Sequence, residues 1–217
     1  MSASWAPKAF VAILHTGVVA ASVTSRLRQR PGEGDTVVAT ATRVWLLIAL
    51  AVIYLARLLI TQYVMVTRDF PWEEALPVGI WVVICQATFA WAGGTNADAV
   101  SWVVWAGVAL YAFGSWLNTA SEAARRRFKA GGAHRGELFT GHAFRFTRHP
   151  NYLGDSLLFT GFAMVTGSWW AAVIPVVMTA MFVGVHIPRL DAHMAEHYGE
   201  QWAAYAARTK KLVPGVY

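Results

Sequence analysis

Phe144-Arg145-Phe146-Thr147-Arg148-His149-Pro150-Asn151-Tyr152-Leu153-Gly154-Asp155 puts Arg, His, Pro, Tyr and Gly into the seven residues from Arg148 to Gly154, and an apolar stretch follows at once. Pro150 suits the first position of a helix, where its missing N–H costs nothing. The run therefore reads as a polar turn that opens a helix entering a bilayer. A structured polar cluster at that place suits an enzyme that holds a charged cofactor against an apolar substrate.

Composition supports the bilayer. The 217 residues are 56% hydrophobic and only 14% charged, with 11 Trp and a mean hydropathy of +0.42. A soluble domain carries about a quarter charged residues. The expected architecture is an all-α, polytopic membrane bundle of about six spans with a C-terminal amphipathic helix. The apolar segments run over about 7–24, 44–66, 76–93, 100–118, 152–167 and 169–186, the last two forming a tight hairpin around Thr166-Gly167-Ser168. The chain reads as one membrane domain, 1–217, with N-terminal spans over 1–118 and a catalytic half over 119–217. The start, Met1–Val23, is expected to be a retained span rather than a cleaved signal, because it lacks a small-residue cleavage pattern.

Charge gives the orientation. With six spans, the side holding both termini and the 119–151 loop carries 13 Lys and Arg residues, against Arg26, Arg28, Arg30 and Arg43 opposite. The positive-inside rule places both termini in the cytoplasm, in a bacterial inner membrane or an equivalent endomembrane. The net charge of +6 is then a feature of loops beside lipid, with the bilayer as partner and no nucleic acid. The single Cys85 excludes an intrachain disulfide.

Several polar residues stand out. Arg57 lies mid-span, where an unsatisfied charge costs about 3 kcal/mol; it pairs with another helix or contacts a headgroup or substrate anion. Gln62 shares its general face. No Gly-rich cofactor turn and no P-loop are visible. The tail residues Met194, Tyr198, Trp202 and Tyr205 make one apolar stripe on a helix, with Gly199 in its middle. His193 and His197 are four apart, but one such pair falls short of a metal centre, and no metal is expected. The simplest reading of the tail is a helix on the membrane surface.

Thr140-Gly141, Phe144 to Pro150, Tyr152 and Gly154 match a glycine turn followed by Arg-His-Pro-x-Tyr-x-Gly, and His197-Tyr198-Gly199-Glu200-Gln201-Trp202-Ala203-Ala204-Tyr205 matches an aromatic-Gly-x-x-aromatic-x-x-Tyr tail closed by Val213-Pro214. Over roughly residues 138–215 the chain thus resembles the isoprenylcysteine carboxyl methyltransferases and related phospholipid methyltransferases. The glutamate pair usual before their tail helix is replaced by Leu190 and Asp191. Asn151-Tyr152-x-Gly154-Asp155 also resembles the Asn-Tyr-x-Gly-Glu of membrane steroid and sterol reductases, which use NADPH.

The resemblance implies S-adenosylmethionine as cofactor, with NADPH as the alternative, and a lipophilic or small hydrophobic methyl acceptor. Expected cofactor contacts are Gly141, His142, Phe144, Arg148, His149, Pro150, Tyr152, Gly154, Tyr198 and Gly199. Arg148 would hold the carboxylate, and Tyr152 and Tyr198 would face the sulfonium or adenine. Arg189 would neutralise a carboxylate acceptor, paired with Asp191 and turned inward by a bend at Pro188. Asp191 or Glu196 would serve as base for an amine or thiol. Asn151, Asp155, Arg57, Trp202 and Tyr205 are expected at the acceptor. A non-catalytic lipid-binding protein is the reading from a different class.

Overall fold

The computed structural model describes residues 5–28, 35–65, 69–96, 98–130, 132, 134 and 136–217, with the side chains of 26–28 and 35–37 set aside. Arg30, Arg68 and Arg135, and the side chains of Arg26 and Arg28, thus lie outside the described residues. The α-helices are α1 (Trp5–Arg28), α2 (Asp35–Ile60), α3 (Trp72–Gly94), α4 (Trp102–Ala130), α5 (Pro150–Thr166), α6 (Val173–Met181), α7 (Ile187–Tyr198) and α8 (Glu200–Arg208). Among the described residues there is no strand, only a parallel bridge between Thr147 and Lys210.

Four helices are long and apolar enough to cross a membrane: Trp5–Ser25, Val38–Met65, Trp72–Gly94 and Trp169–Tyr198. They expose Ile53, Ile60, Ile80, Ile84, Trp91, Val176 and Val177. Apolar surface on that scale needs lipid, not water, and the protein is a membrane protein on this ground. The expected segments 100–118 and 152–167 are helical in α4 and α5 but are not among the four; α5 has 17 residues. Helix α4 also runs on to Ala130, so residues 119–130 are helix where a loop was expected. Hydropathy marks where a helix leaves lipid, and the Ala-, Glu-, Arg- and Lys-rich run that follows has strong helix propensity of its own.

The chain divides into two compact units. The first comprises 1–109 and 161–172. Here α1, α2 and α3 pack on one another, and Val11, Phe70 and Ala75 form a buried cluster with Phe10 and Leu58 against it. Phe89 and Phe162 stack at 4.6 Å. His15 meets Gln86 at 3.4 Å. Arg43 corrects its sequence assignment to a loop: it lies on α2, 1% exposed. Its guanidinium donates to the carbonyls of Asn96 at 2.8 Å and Asp98 at 2.8 Å. Gly167, at φ +70, turns the chain beside it; a Cβ there would lie 3.3 Å from Arg43 Nε and 2.9 Å from Asn96 Nδ2. The turn expected around Thr166-Gly167-Ser168 is present, with the Gly167 N–H donating to Met164 at 3.0 Å.

The second unit comprises 110–160 and 173–217. In it α4 and α5 cross closely at Gly114 and Gly154: a Cβ on Gly154 would lie 2.7 Å from the Asn118 backbone nitrogen and 2.8 Å from the Gly114 carbonyl oxygen. The Thr179 hydroxyl donates to Ser156 at 2.9 Å, tying α6 to α5.

Two features of the tail differ from expectation. The stripe from Met194 to Tyr205 does not lie on one helix. The chain breaks at Gly199, whose φ of 51 and ψ of −120 suit glycine alone. At Pro188, where a bend was expected, the helical assignment is unbroken: residues 182–186 form a π turn and α7 follows directly from Ile187.

Candidate functional site

The site is built from the quoted stretch and the tail of the second unit. Gly141 leads into a 3-10 turn, His142–Arg145. A Cβ on Gly141 would lie 2.9 Å from the Phe139 ring, and Phe139 packs edge-on to the buried Phe144 at 5.5 Å. His142 is exposed and adopts φ 53, the one described non-glycine residue at positive φ. The stretch is then pinned to the tail by main-chain bonds. The Arg148 N–H donates to Lys210 at 2.8 Å, the His149 N–H to Lys211 at 3.1 Å, and the Thr147 hydroxyl to Lys211 at 3.0 Å. Tyr205 closes the arrangement from α8: its hydroxyl donates to the Phe144 carbonyl at 2.6 Å. Burial pushes the Tyr205 phenol well above its ordinary value, so it remains a donor at any ordinary pH.

At the centre, Asp191 accepts from two neighbours in the chain. His149 Nε2 lies 2.8 Å from Asp191 Oδ1, and Arg148 Nη1 lies 3.1 Å from Asp191 Oδ2. Arg148 also sits over the Trp202 ring at 5.5 Å. Aromatic rings extend the cluster. His149 stacks on Tyr152 at 5.5 Å, and Tyr152 stacks on Phe182 at 4.5 Å. Pro150 is the first residue of α5, which fixes His149 at the helix mouth.

A second polar chain follows one face of α4. Asn118 donates to Asp155 at 2.8 Å and to the Asn151 carbonyl at 3.1 Å. Asn151 donates to Glu122 at 2.8 Å, and Arg125 bridges both oxygens of Glu122 at 2.7 and 2.8 Å. Asn118 and Glu122 are absent from the sequence expectations, where Arg125 counts only among the loop charges beside lipid. The available signal was spacing: Asn118, Glu122 and Arg125 are four and three apart and share one helical face. Two atoms in these chains are buried without a hydrogen-bond partner, Arg148 Nε and Asn151 Oδ1. Such atoms are costly unless something completes them.

The structure thus brings together Phe144, Arg148, His149, Pro150, Tyr152, Asp191, Trp202 and Tyr205, with Asn151 and Asp155 in the adjoining chain. Gly154 has a packing task against α4. Tyr198 accepts from Lys129 at 3.1 Å, and Gly199 breaks the helix. The expected Arg189–Asp191 pair is not formed. Arg189 and Glu196 are exposed, with no ion pair among the described residues. The reason is helical geometry: residues two apart do not face each other, so Asp191 turned to His149 leaves Arg189 outside. Arg57 lies on α2, in the first unit.

A cavity of about 290 Å³ borders Arg148 from the tail side, and one of about 110 Å³ lies in the first unit among Leu47, Gln86, Phe89 and Phe162. A comparison with curated proteins finds no match. Residues 76–209, which include both polar chains, match the family profile described as protein of unknown function DUF1295, and the chain belongs to that family.

Proposed function

We propose that this protein transfers a methyl group from S-adenosylmethionine to a lipophilic or small hydrophobic acceptor at the cytoplasmic face of a membrane. The observation that carries the reading is the column His149–Tyr152–Phe182 beside the carboxylate of Asp191. A compact cation is stabilised over an electron-rich ring. When bound, the cofactor supplies an activated methyl on a sulfonium. The residues fit such a group: Arg148 Nε and Asn151 Oδ1 await polar partners, and the aromatic column beside them is electron-rich.

The chain's own residues would bind and orient. Arg148 and His149 hold Asp191, so the carboxylate is fixed in direction and partly neutralised. Asp191 is in place to accept a proton from an amine or thiol acceptor, a role the exposed Arg189 and Glu196 are less suited to. The aromatic column excludes water, which matters for an in-line displacement. The cytoplasmic assignment rests on the excess of Lys and Arg beside the site.

Tyr152 favours a second reading, an NADPH-dependent reductase of an unsaturated lipid. A half-buried phenol between His149 and Phe182 is a fitting proton donor, and reduction of a double bond needs one. Calorimetric titration of the purified protein with S-adenosylhomocysteine and with NADPH separates the readings. Methyl transfer expects the first to bind, and His149→Ala to weaken it at least tenfold. NADPH binding alone supports reduction. Binding of neither leaves a non-catalytic lipid-binding protein.

A further inference from the structure

Beside Arg148, the tail of the second unit holds three cations that the proposed chemistry does not use: Arg208, Lys210 and Lys211. Arg148, Arg208, Lys210 and Lys211 line one cavity of about 290 Å³, together with Thr209 and Tyr217. No acidic side chain lines it. Liquid water occupies about 30 Å³ per molecule, so the space equals roughly ten waters. That is room for a phosphoryl group and its first hydration shell.

Arg208 and Lys210 are exposed, but the backbone that carries the two lysines is fixed. The backbones of Lys210 and Lys211 are fixed by the bonds from Arg148, His149 and Thr147. Lys211 Nζ lies 5.1 Å over the Tyr217 ring. Thr209 is buried, and its N–H donates to Tyr205 at 3.1 Å. Arg148 is the deepest of the four: its side chain is 10% exposed, its Nη1 is taken by Asp191, and its Nε has no hydrogen-bond partner. Asp191 answers one positive charge. Arg208, Lys210 and Lys211 leave the lining net positive, which favours an anion there. Lysine ammonium groups act as point charges and a guanidinium as a directed donor, a mixture that suits a phosphate.

We propose that this cavity is a binding site for a phosphoryl group, carried either by a soluble phosphoester or by an anionic lipid headgroup. Arg148 is shared with the methyl-transfer reading, but Arg208, Lys210 and Lys211 have no part in it, so the variants below test this site separately.

The test uses the full chain in dodecyl maltoside micelles, which contain no phosphate. One arm titrates inorganic pyrophosphate. The other adds phosphatidylglycerol to the micelles, with phosphatidylcholine as the zwitterionic comparison. Binding in the first arm identifies a soluble phosphoester as the source. Binding only to phosphatidylglycerol identifies a headgroup. In either case Lys210→Gln/Lys211→Gln is expected to weaken binding at least tenfold, and Arg126→Gln/Arg127→Gln, which removes two exposed charges outside the cavity, less than twofold. Should the first double variant not elute as a folded protein, Arg208→Gln serves the same comparison. Equal losses in the cavity and control variants would overturn the site, as would no binding in either arm.

Discussion

Arg43 in the first unit and Arg148 in the second are both buried guanidiniums, and in each the Nε lacks a hydrogen-bond partner. They are satisfied in different ways. Arg43 donates to main-chain carbonyls of Asn96 and Asp98. Its charge closes a loop between two apolar helices; the Asp98 carboxylate acts on it only through space, and the hydrogen bonds go to carbonyls. Arg148 donates to Asp191, which also accepts from His149, and it lies beside three further cations at one cavity. A charge held by carbonyls is a structural fastener. A charge held by a carboxylate, with polar atoms still unsatisfied around it, is set up for a ligand. The same residue type therefore carries different meaning in the two units, and the acceptor, not the burial, distinguishes them.

Matched substitutions test that contrast most sharply. Arg43→Met should cost about 3 kcal/mol, because it strands buried carbonyls. For a chain of this size that lowers Tm by roughly 6–12 °C, while affinity for S-adenosylhomocysteine per folded molecule stays unchanged. Arg148→Met should do the reverse: a smaller loss of Tm, since His149 still reaches Asp191, and at least a tenfold loss of affinity, about 1.4 kcal/mol. Thermal unfolding and calorimetry on the same preparations check both. If Arg148→Met lowers Tm as much as Arg43→Met and leaves affinity intact, the contrast collapses.

Gly154→Ala asks whether the second unit tolerates any loosening at its helix crossing. A Cβ there meets the backbone of α4, and overpacking of that kind costs about 2 kcal/mol. An unchanged unfolding temperature would show that α4 and α5 do not pack as described. Tyr205→Phe is expected to cost about 1 kcal/mol, the loss of one buried hydrogen bond to Phe144. The same variant should speed proteolysis of the 139–148 segment, and unaltered cleavage would argue against that fastening. Arg189→Ala should have the smallest effect, within about 0.5 kcal/mol of the parent in stability, as for an exposed side chain. Its single-turnover rate with S-adenosylmethionine should match the parent. A lost rate at full cofactor affinity would return Arg189 to the acceptor site.

Much of the site was legible because its signal is local. Arg148, His149 and Tyr152 are neighbours in the chain, and Pro150 announces a helix start, whereas Gly154, expected at the cofactor, packs against α4. Asp191 was also visible, but its partner was not. The sequence reading paired it with Arg189 by proximity, whereas on a helix a residue two positions away points elsewhere. Asn118 and Glu122 were hidden for another reason. Asn118 is the last residue of an apolar segment and Glu122 lies just past it, where hydropathy no longer reports on the helix that carries them.

By itself the sequence determined the solvent and the helical class. Composition and long apolar runs favour a helical chain in lipid, where backbone N–H and C=O groups are satisfied within their own segment. It also marked the short stretch in which buried polar side chains gather. Tertiary structure decided the pairings. Asp191 is 42 residues from His149, Asn118 is 37 from Asp155, and Tyr205 is 61 from Phe144. It also decided that Arg43 is buried rather than a loop charge, and that the tail breaks at Gly199. Hydropathy and propensity are properties of neighbours along the chain. A hydrogen bond depends on distance and direction in space, and those exist only once the helices have packed.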